Sequence, residues 1–208
     1  MNALEKSIIV LGSGGHAKVL IEILRENKIP IAGVTSIDLK QDDEFIGLKV
    51  IGTDDDLTNY NQGEILLVNG IGSLPGNTKR KELSALMKEK GYRFSSVIHR
   101  QSVVSSSAYI HDGAQLMAGS IIQAGSEIGS DTIINTGAII DHDCLIGRDC
   151  HIGPGSAISG GVTVGDGTHI GTGSNIIQNI KIGKNVIIAA GSSVFRNIDS
   201  DSTFIQKK

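Results

Sequence analysis

Asn135-Thr136-Gly137-Ala138-Ile139-Ile140, then Asp141-His142-Asp143-Cys144-Leu145-Ile146, then Gly147-Arg148-Asp149-Cys150-His151-Ile152: three hexapeptides in a row, each closing on isoleucine, decide how the chain is read. Counting outward by six in both directions, from Ile98 to Val194, every one of seventeen positions is Ile, Leu or Val. No residue is inserted or skipped along the way. A second register, four residues on, holds small or β-branched residues: Ala108, Ala114, Ser120, Ser126, Thr132, Ala138, Cys144, Cys150, Ser156, Val162, Thr168 and Ser174. Gly, Asn and Asp crowd the positions between, as in Gly153-Pro154-Gly155 and Gly165-Asp166-Gly167. Each hexapeptide therefore reads as a short strand followed by a corner. Three of them close one coil of a triangular prism, and neighbouring coils pair at strand spacing, about 4.8 Å. The aliphatic residues fill the interior, and the small ones sit where corners leave little room. The count predicts about five and a half coils with no long external loop.

Composition agrees with so narrow a core. Only 3% of the 208 residues are aromatic, there is no Trp, and Gly occupies 27 positions. An ordinary core draws much of its buried area from aromatics; here small and branched side chains must do that work. With 39% hydrophobic and 20% charged residues the chain is globular rather than disordered. Nineteen basic residues against 22 acidic ones leave a net charge of −3, and no basic stripe points to nucleic acid. The longest apolar run near the start, Ile8-Ile9-Val10-Leu11, is too short for a signal peptide or a membrane span, so a cytoplasmic protein without membrane insertion is expected. Cys144 and Cys150 fall in the small-residue register and read as inert core thiols rather than a disulfide, a metal site or a nucleophile.

The first ninety-five residues keep a different rhythm. A buried-strand run, Ser7–Leu11, leads at once into Gly12-Ser13-Gly14-Gly15-His16 and then into apolar residues at helical spacing from Ala17 to Leu24. Ile31–Val34, Leu48–Ile51 and Ile65–Val68 read as further strands, Asp54–Tyr60 as a short helix, and Asn77–Lys90 as a helix ended by Gly91. This alternation predicts an α/β domain over residues 1–95, half of a Rossmann-like fold with a parallel sheet, followed by the prism over 96–208. A glycine-rich turn between first strand and first helix is where such a fold binds phosphate. The spacing departs from the dinucleotide fingerprint, and the acid expected after the second strand is replaced by Thr35-Ser36, with Asp38 following. Steric need for glycine in a tight turn is the competing explanation.

On the prism the candidate chemistry is Asn135 with Asp141-His142-Asp143. His142 falls at a corner, facing out, and its neighbours 18 residues away are Ala124 and Gly160, which leave room beside the imidazole. An adjacent carboxylate would hold one ring nitrogen protonated and make the other a better base. A solvated polar corner is the plain alternative. His151 and His169 are also 18 apart and should stack one coil above the other. With His142 they would suggest zinc only if all three converged, and His142 occupies a different place in the repeat, so no metal is expected.

Together, the glycine-rich loop after the first strand and the unbroken prism carrying Asn135 and Asp141-His142-Asp143 resemble the sugar acyltransferase family of the NeuD/PglD type. These are sialic-acid O-acetyltransferases and nucleotide-linked amino-sugar N-acetyltransferases of bacterial glycan biosynthesis. The resemblance covers nearly the whole chain. It implies a left-handed parallel β-helix, a homotrimer, acetyl-CoA bound along the prism between subunits, and a nucleotide sugar held by the N-terminal domain. By position it implies His142 as catalytic base and Asp143 as the carboxylate behind it, with Asn135 near the acceptor. It places acetyl-CoA at His151, Thr172 and Ala190, and the nucleotide sugar at Gly14, Gly15, His16 and Gly72. Two departures stand out: the family's acidic pair after the second strand is missing, and the chain ends in Phe204-Ile205-Gln206-Lys207-Lys208 without the usual Pro-containing tail. The expected reaction is N-acetylation of a nucleotide-linked amino sugar, at a 4-amino group. O-acetylation of a sialic or related nonulosonic acid is the alternative enzyme, and a non-catalytic scaffold or binding module the alternative of another class. Outward-facing Ile133, Ile139, Ile177 and Ile187 add a reason to expect a trimer.

Overall fold

Small β-branched and aliphatic side chains on a six-residue period can bury themselves only by stacking coil on coil, and residues 97–204 do so. The computed structural model describes residues 6–206, so Lys207 and Lys208 of the tail lie outside the described residues. The chain divides into two compact units, Met1–Val97 and Ile98–Lys208.

In the first unit, β1 (Ser7–Leu11) is central to a parallel sheet in the order β2-β1-β5, with β2 at Ile31–Thr35 and β5 at Ile65–Asn69. Helix α1 (Gly15–Glu26) crosses from β1 to β2, and α2 (Lys79–Glu89) follows β5. Ile9, Leu11, Leu67 and Met87 form the core of this unit with Tyr92 and Phe94. Two details differ from the sequence reading. The weak strand is the second arm of a small antiparallel hairpin, β3 (Glu44–Phe45) with β4 (Leu48–Lys49), and a 3-10 turn at Asp54–Asn59 replaces the short helix. Residues 93–95 also extend the sheet: Leu67 N–H donates to Arg93 O and Ser95 N–H to Leu67 O, both at 2.9 Å.

The second unit is a parallel β-helix of roughly six coils. Eighteen two-residue strands run from Val97–Ile98 to Thr203–Phe204, and the second residue of the first seventeen is the aliphatic position of the six-residue count. They stack into three sheets that make the faces of the prism. The interior aliphatics from Leu116 to Val194 are almost wholly buried, each contributing about 1.5–3 kcal/mol. The small-residue register has a second duty. Ser126, Thr132, Ser156, Thr168 and Ser174 each donate their hydroxyl to a backbone carbonyl fifteen residues on, at 2.6–3.1 Å. Cys144 and Cys150 donate their thiols in the same way at 3.2 Å. Burial pushes the Cys144 thiol up and that of Cys150 up to about 12, so both are thiols at neutral pH.

The coils continue beyond the seventeenth step. Ile198 bridges to Ile182 and Phe204 pairs with Ile188, a spacing of sixteen rather than eighteen, so the last coil is two residues short and Phe204 packs against the top of the core. Of the four isoleucines expected outside, Ile133 is wholly buried, while Ile139 and Ile177 are about two-fifths exposed, at 40% and 41%.

Candidate active site

The prism corner at Asp141-His142-Asp143 is a niche made by missing side chains. His142 Nδ1 lies 2.9 Å from Asp143 Oδ2, and the Asp141 carboxylate accepts the His142 backbone N–H at 2.8 Å. One coil on, a Cβ at Gly160 would stand 2.5 Å from His142 Nε2, so the imidazole lies against bare backbone. One coil back, a Cβ at Gly125 would stand 2.6 Å from Asp143 Oδ1. Coil-to-coil bonds hold the corner: Asp143 N–H donates to Ala124 O and Gly161 N–H to His142 O, both at 2.9 Å. Asp143 itself is left-handed, φ +57°, which Asp tolerates better than most residues.

A carboxylate can only accept, so the Asp143 contact requires a proton on Nδ1 and leaves the Nε2 lone pair free. The hydrogen bond to Asp143 and then the charge of Asp141 raise the His142 pKa above its ordinary value, against an opposing desolvation that outweighs the added charge of Asp143. The ring remains 61% exposed, so an approaching acceptor can reach it. Asn135 sits at the preceding corner of the same coil. Its side-chain carbonyl accepts the Thr136 N–H at 2.7 Å, which fixes the amide at that corner.

The residues implied for acetyl-CoA lie elsewhere on the prism. His151 pairs with His169 across adjacent strands, and their rings stack at 4.6 Å with planes 17° apart. Burial lowers the His169 pKa, which favours a neutral ring. This pair lies on the face opposite the His142 corner, since a coil passes from corner 135–138 to corner 141–144 to corner 147–150 before reaching His151. Thr172 and Ala190 are exposed residues stacked one coil apart at the same prism corner as Asn135, two and three coils further on, where Gly191 N–H donates to Thr172 O at 2.8 Å. Within one chain, then, His142 does not meet His151, Thr172 or Ala190. Among the described residues no three His, Cys, Asp or Glu side chains could hold a metal ion.

In the N-terminal unit a cleft of about 540 Å³ opens at the end of β1, and Gly14, Gly15, His16 and Gly72 all line it. Helix α1 starts there with Gly14 as N-cap, no side-chain cap and no acidic residue in its first turn, so its N-terminal backbone faces the cleft with positive polarity. Gly12, at φ +93°, is the residue the turn needs to be glycine. Gly14 is not: its φ is −91°, and a Cβ there would meet nothing within 4 Å, as is also true at Gly15. The bare backbone at 14 and 15 is open toward the cleft rather than demanded by the fold. The far wall carries groups the sequence reading left out. Thr35 Oγ1 accepts Gly12 N–H at 3.1 Å and donates to Asp54 Oδ1 at 2.5 Å, while Ser13 and Ser36 share a hydroxyl contact of 2.7 Å. Thr35 and Ser36 were visible as the departure after β2; Asp54, nineteen residues further on, carried no local signal.

Both parts of the chain match known proteins. The profile of the PglD N-terminal domain matches residues 7–85, and that of the bacterial transferase hexapeptide (six repeats) matches residues 125–160, 143–177 and 161–196. A perosamine N-acetyltransferase from Caulobacter crescentus, solved as a histidine-to-asparagine variant with CoA and GDP-perosamine, is 35% identical. The match covers 95% of this chain and 92% of that one, with a TM-score of 0.87. The acetyltransferase domain of PglB from Neisseria gonorrhoeae, solved with acetyl coenzyme A, is 30% identical over 96% of this chain and 95% of that one, with a TM-score of 0.87. WeeI from Acinetobacter baumannii shares the fold at 21% identity, covering 97% of each chain with a TM-score of 0.86. Comparison with curated protein sequences finds no match.

Proposed function

We propose that this chain, which belongs to the NeuD/PglD-type family of acetyl-CoA-dependent sugar acetyltransferases, N-acetylates an amino sugar carried on a nucleotide. The observation that carries the mechanism is the His142–Asp143 pair, with Nδ1 committed to the carboxylate and Nε2 free against Gly160. The amine nitrogen of the sugar attacks the thioester carbonyl carbon, a C–N bond forms and the C–S bond breaks. His142 Nε2 takes the proton that the nitrogen loses and returns it to the departing CoA sulfur. Asp143 and Asp141 stabilise the imidazolium in between. No covalent enzyme intermediate is needed, because a thioester is already activated, and much of the remaining rate comes from holding two substrates together.

The cleft lined by Gly14, Gly15, His16 and Gly72 holds the nucleotide sugar in this reading, its diphosphate against the uncapped start of α1. His151, Thr172 and Ala190 hold acetyl-CoA, and Asn135 stands near the acceptor. Since His142 and His151 lie on opposite sides of one prism, a complete site takes His142 from one subunit and the acetyl-CoA contacts from another, which calls for a homotrimer. A cytoplasmic enzyme of glycan biosynthesis follows from such substrates; no helix of the described residues is long and apolar enough to cross a membrane.

The deciding experiment incubates the protein with acetyl-CoA and a panel of GDP-, UDP- and dTDP-linked amino sugars and free sialic acids, following CoA release. Turnover with a nucleotide-linked amino sugar is the expected result. Release with sialic acids alone would make the enzyme an O-acetyltransferase, and no release with any acceptor, together with no acetyl-CoA binding by calorimetry, would make it a binding module.

A further inference from the structure

We infer that Asp54 receives the 2′- and 3′-hydroxyls of a ribose, so that the N-terminal cleft selects ribonucleotide-linked over deoxyribonucleotide-linked sugars. This rests on the cleft being the nucleotide site, as proposed above. In dinucleotide-binding folds of this strand–helix type, a carboxylate after the second strand accepts the ribose hydroxyl. Here β2 ends in Thr35, followed by Ser36, both buried. Neither side chain is an anion. The fold supplies the carboxylate from elsewhere. Thr35 Oγ1 donates to Asp54 Oδ1 at 2.5 Å, and Asp54, half-buried, lines the cleft from the start of the 3-10 turn.

The relay also ties this carboxylate to the phosphate loop. The same Thr35 oxygen accepts the N–H of Gly12 at 3.1 Å, so Asp54 stands two hydrogen bonds from the loop that faces a diphosphate. In a nucleoside diphosphate the ribose is the group joined to the α-phosphate. Thr35 takes one lone-pair site on Asp54, and an ionised carboxylate offers about four. A vicinal diol brings two O–H donors to the rest; a 2′-deoxyribose brings one. Asp54 is not needed to cap its own turn, because Asp56 accepts both the N–H and the hydroxyl of Thr53, at 2.7 and 3.0 Å. Asp38 also lines the cleft but is exposed. Ile37 and Leu74, 85% and 66% exposed, flank the cleft from the β2 and β5 sides and give the base apolar walls, leaving the carboxylate to the sugar.

Calorimetry on the full chain with GDP, 2′-deoxy-GDP, UDP and 2′-deoxy-UDP tests this. A hydroxyl bonded to a charged acceptor is worth roughly 10- to 100-fold in affinity. The wild-type protein should therefore prefer each ribonucleotide to its deoxy form by about 10-fold or more. Asp54→Ala should weaken GDP and UDP toward the deoxy values and bring the ribo-to-deoxy ratio within about two-fold, its melting temperature serving as the check on folding. Equal binding of ribo and deoxy forms by the wild-type protein, which needs no variant, would overturn the inference while leaving the nucleotide site standing. So would a ratio that survives in a folded Asp54→Ala protein. Failure of all four nucleotides to bind would overturn the cleft assignment and this inference with it.

Discussion

A histidine serves as base only in its neutral form, so the environment of His142 translates directly into a pH profile. Its raised pKa means that protonation, and loss of activity, sets in at a higher pH than for an ordinary histidine as pH falls. Asp143→Ala removes the largest cause of that rise. The acid limb of kcat against pH should then move to lower pH while the plateau drops, because the Nδ1 tautomer is no longer held. His142→Ala should lower kcat about 10²- to 10⁴-fold with little change in KM for acetyl-CoA. Near wild-type turnover in that variant would remove the base from the mechanism. Gly160→Ala probes the niche without touching the dyad. Its Cβ would come within 2.5–3.0 Å of three imidazole atoms, and an exposed ring can swing away at little cost to stability. Melting should barely change while kcat falls and acetyl-CoA affinity stays. This part of the site was legible in the sequence because the acid and base are adjacent and Gly160 lies one coil from His142 in a fixed count. Asp54 was not, since only the packing of a 3-10 turn against the end of β2 brings it to Thr35.

At the scale of the element, the glycine loop between β1 and α1 separates two uses of the same residue type. Gly12 takes φ +93°, where a side chain is strained, whereas Gly14 and Gly15 have ordinary backbone and open space. Gly12→Ala should lower the melting temperature. Gly14→Ala should leave it nearly unchanged, because the entropy removed from the unfolded chain, about 0.4–1 kcal/mol, is offset by the poorer N-cap that Ala makes for α1. The ligand reverses that order. Gly14→Val puts a side chain where phosphate must approach backbone, so calorimetry should show loss of nucleotide-sugar binding with acetyl-CoA affinity held within a few-fold. A folded Gly14→Val protein that bound the nucleotide sugar normally would remove the cleft from the account. The loop's position was readable from strand and helix patterns; the difference among its glycines was not, because φ and free space leave no trace in composition. The prism shows the same limit. Its seventeen steps were readable because each interior position must be aliphatic, while the shortened last coil hid behind a two-residue slip that moved the interior position from 200 to 198 and then to Phe204. The sheet extension at Arg93–Ser95 hid because a single bridging segment has no periodicity to read.

For the whole molecule, the placement of His142 and His151 on opposite sides of one prism turns oligomeric state into a catalytic question. Ile139, Leu145, Ile177 and Phe195 are 40–61% exposed on the prism, apolar surface of the kind that a subunit interface covers. Ile133, buried within the single chain, makes no part of that argument. Light scattering should give three times the 21.8 kDa of one chain, and a mass of one chain would end the shared-site account. Mass alone would not show that the site is shared, but complementation would. Prepare His142→Ala and His151→Ala separately, assay each at low acetyl-CoA where both are impaired, then unfold, mix and refold them together. In a cyclic trimer whose sites pair His142 of one subunit with His151 of the next, every mixed trimer regains one intact site. Equal mixing should thus restore about a quarter of the wild-type sites. Were both residues drawn from the same chain, no mixture could contain an intact site, and the activity of the mixed protein would stay at the mean of the two variants.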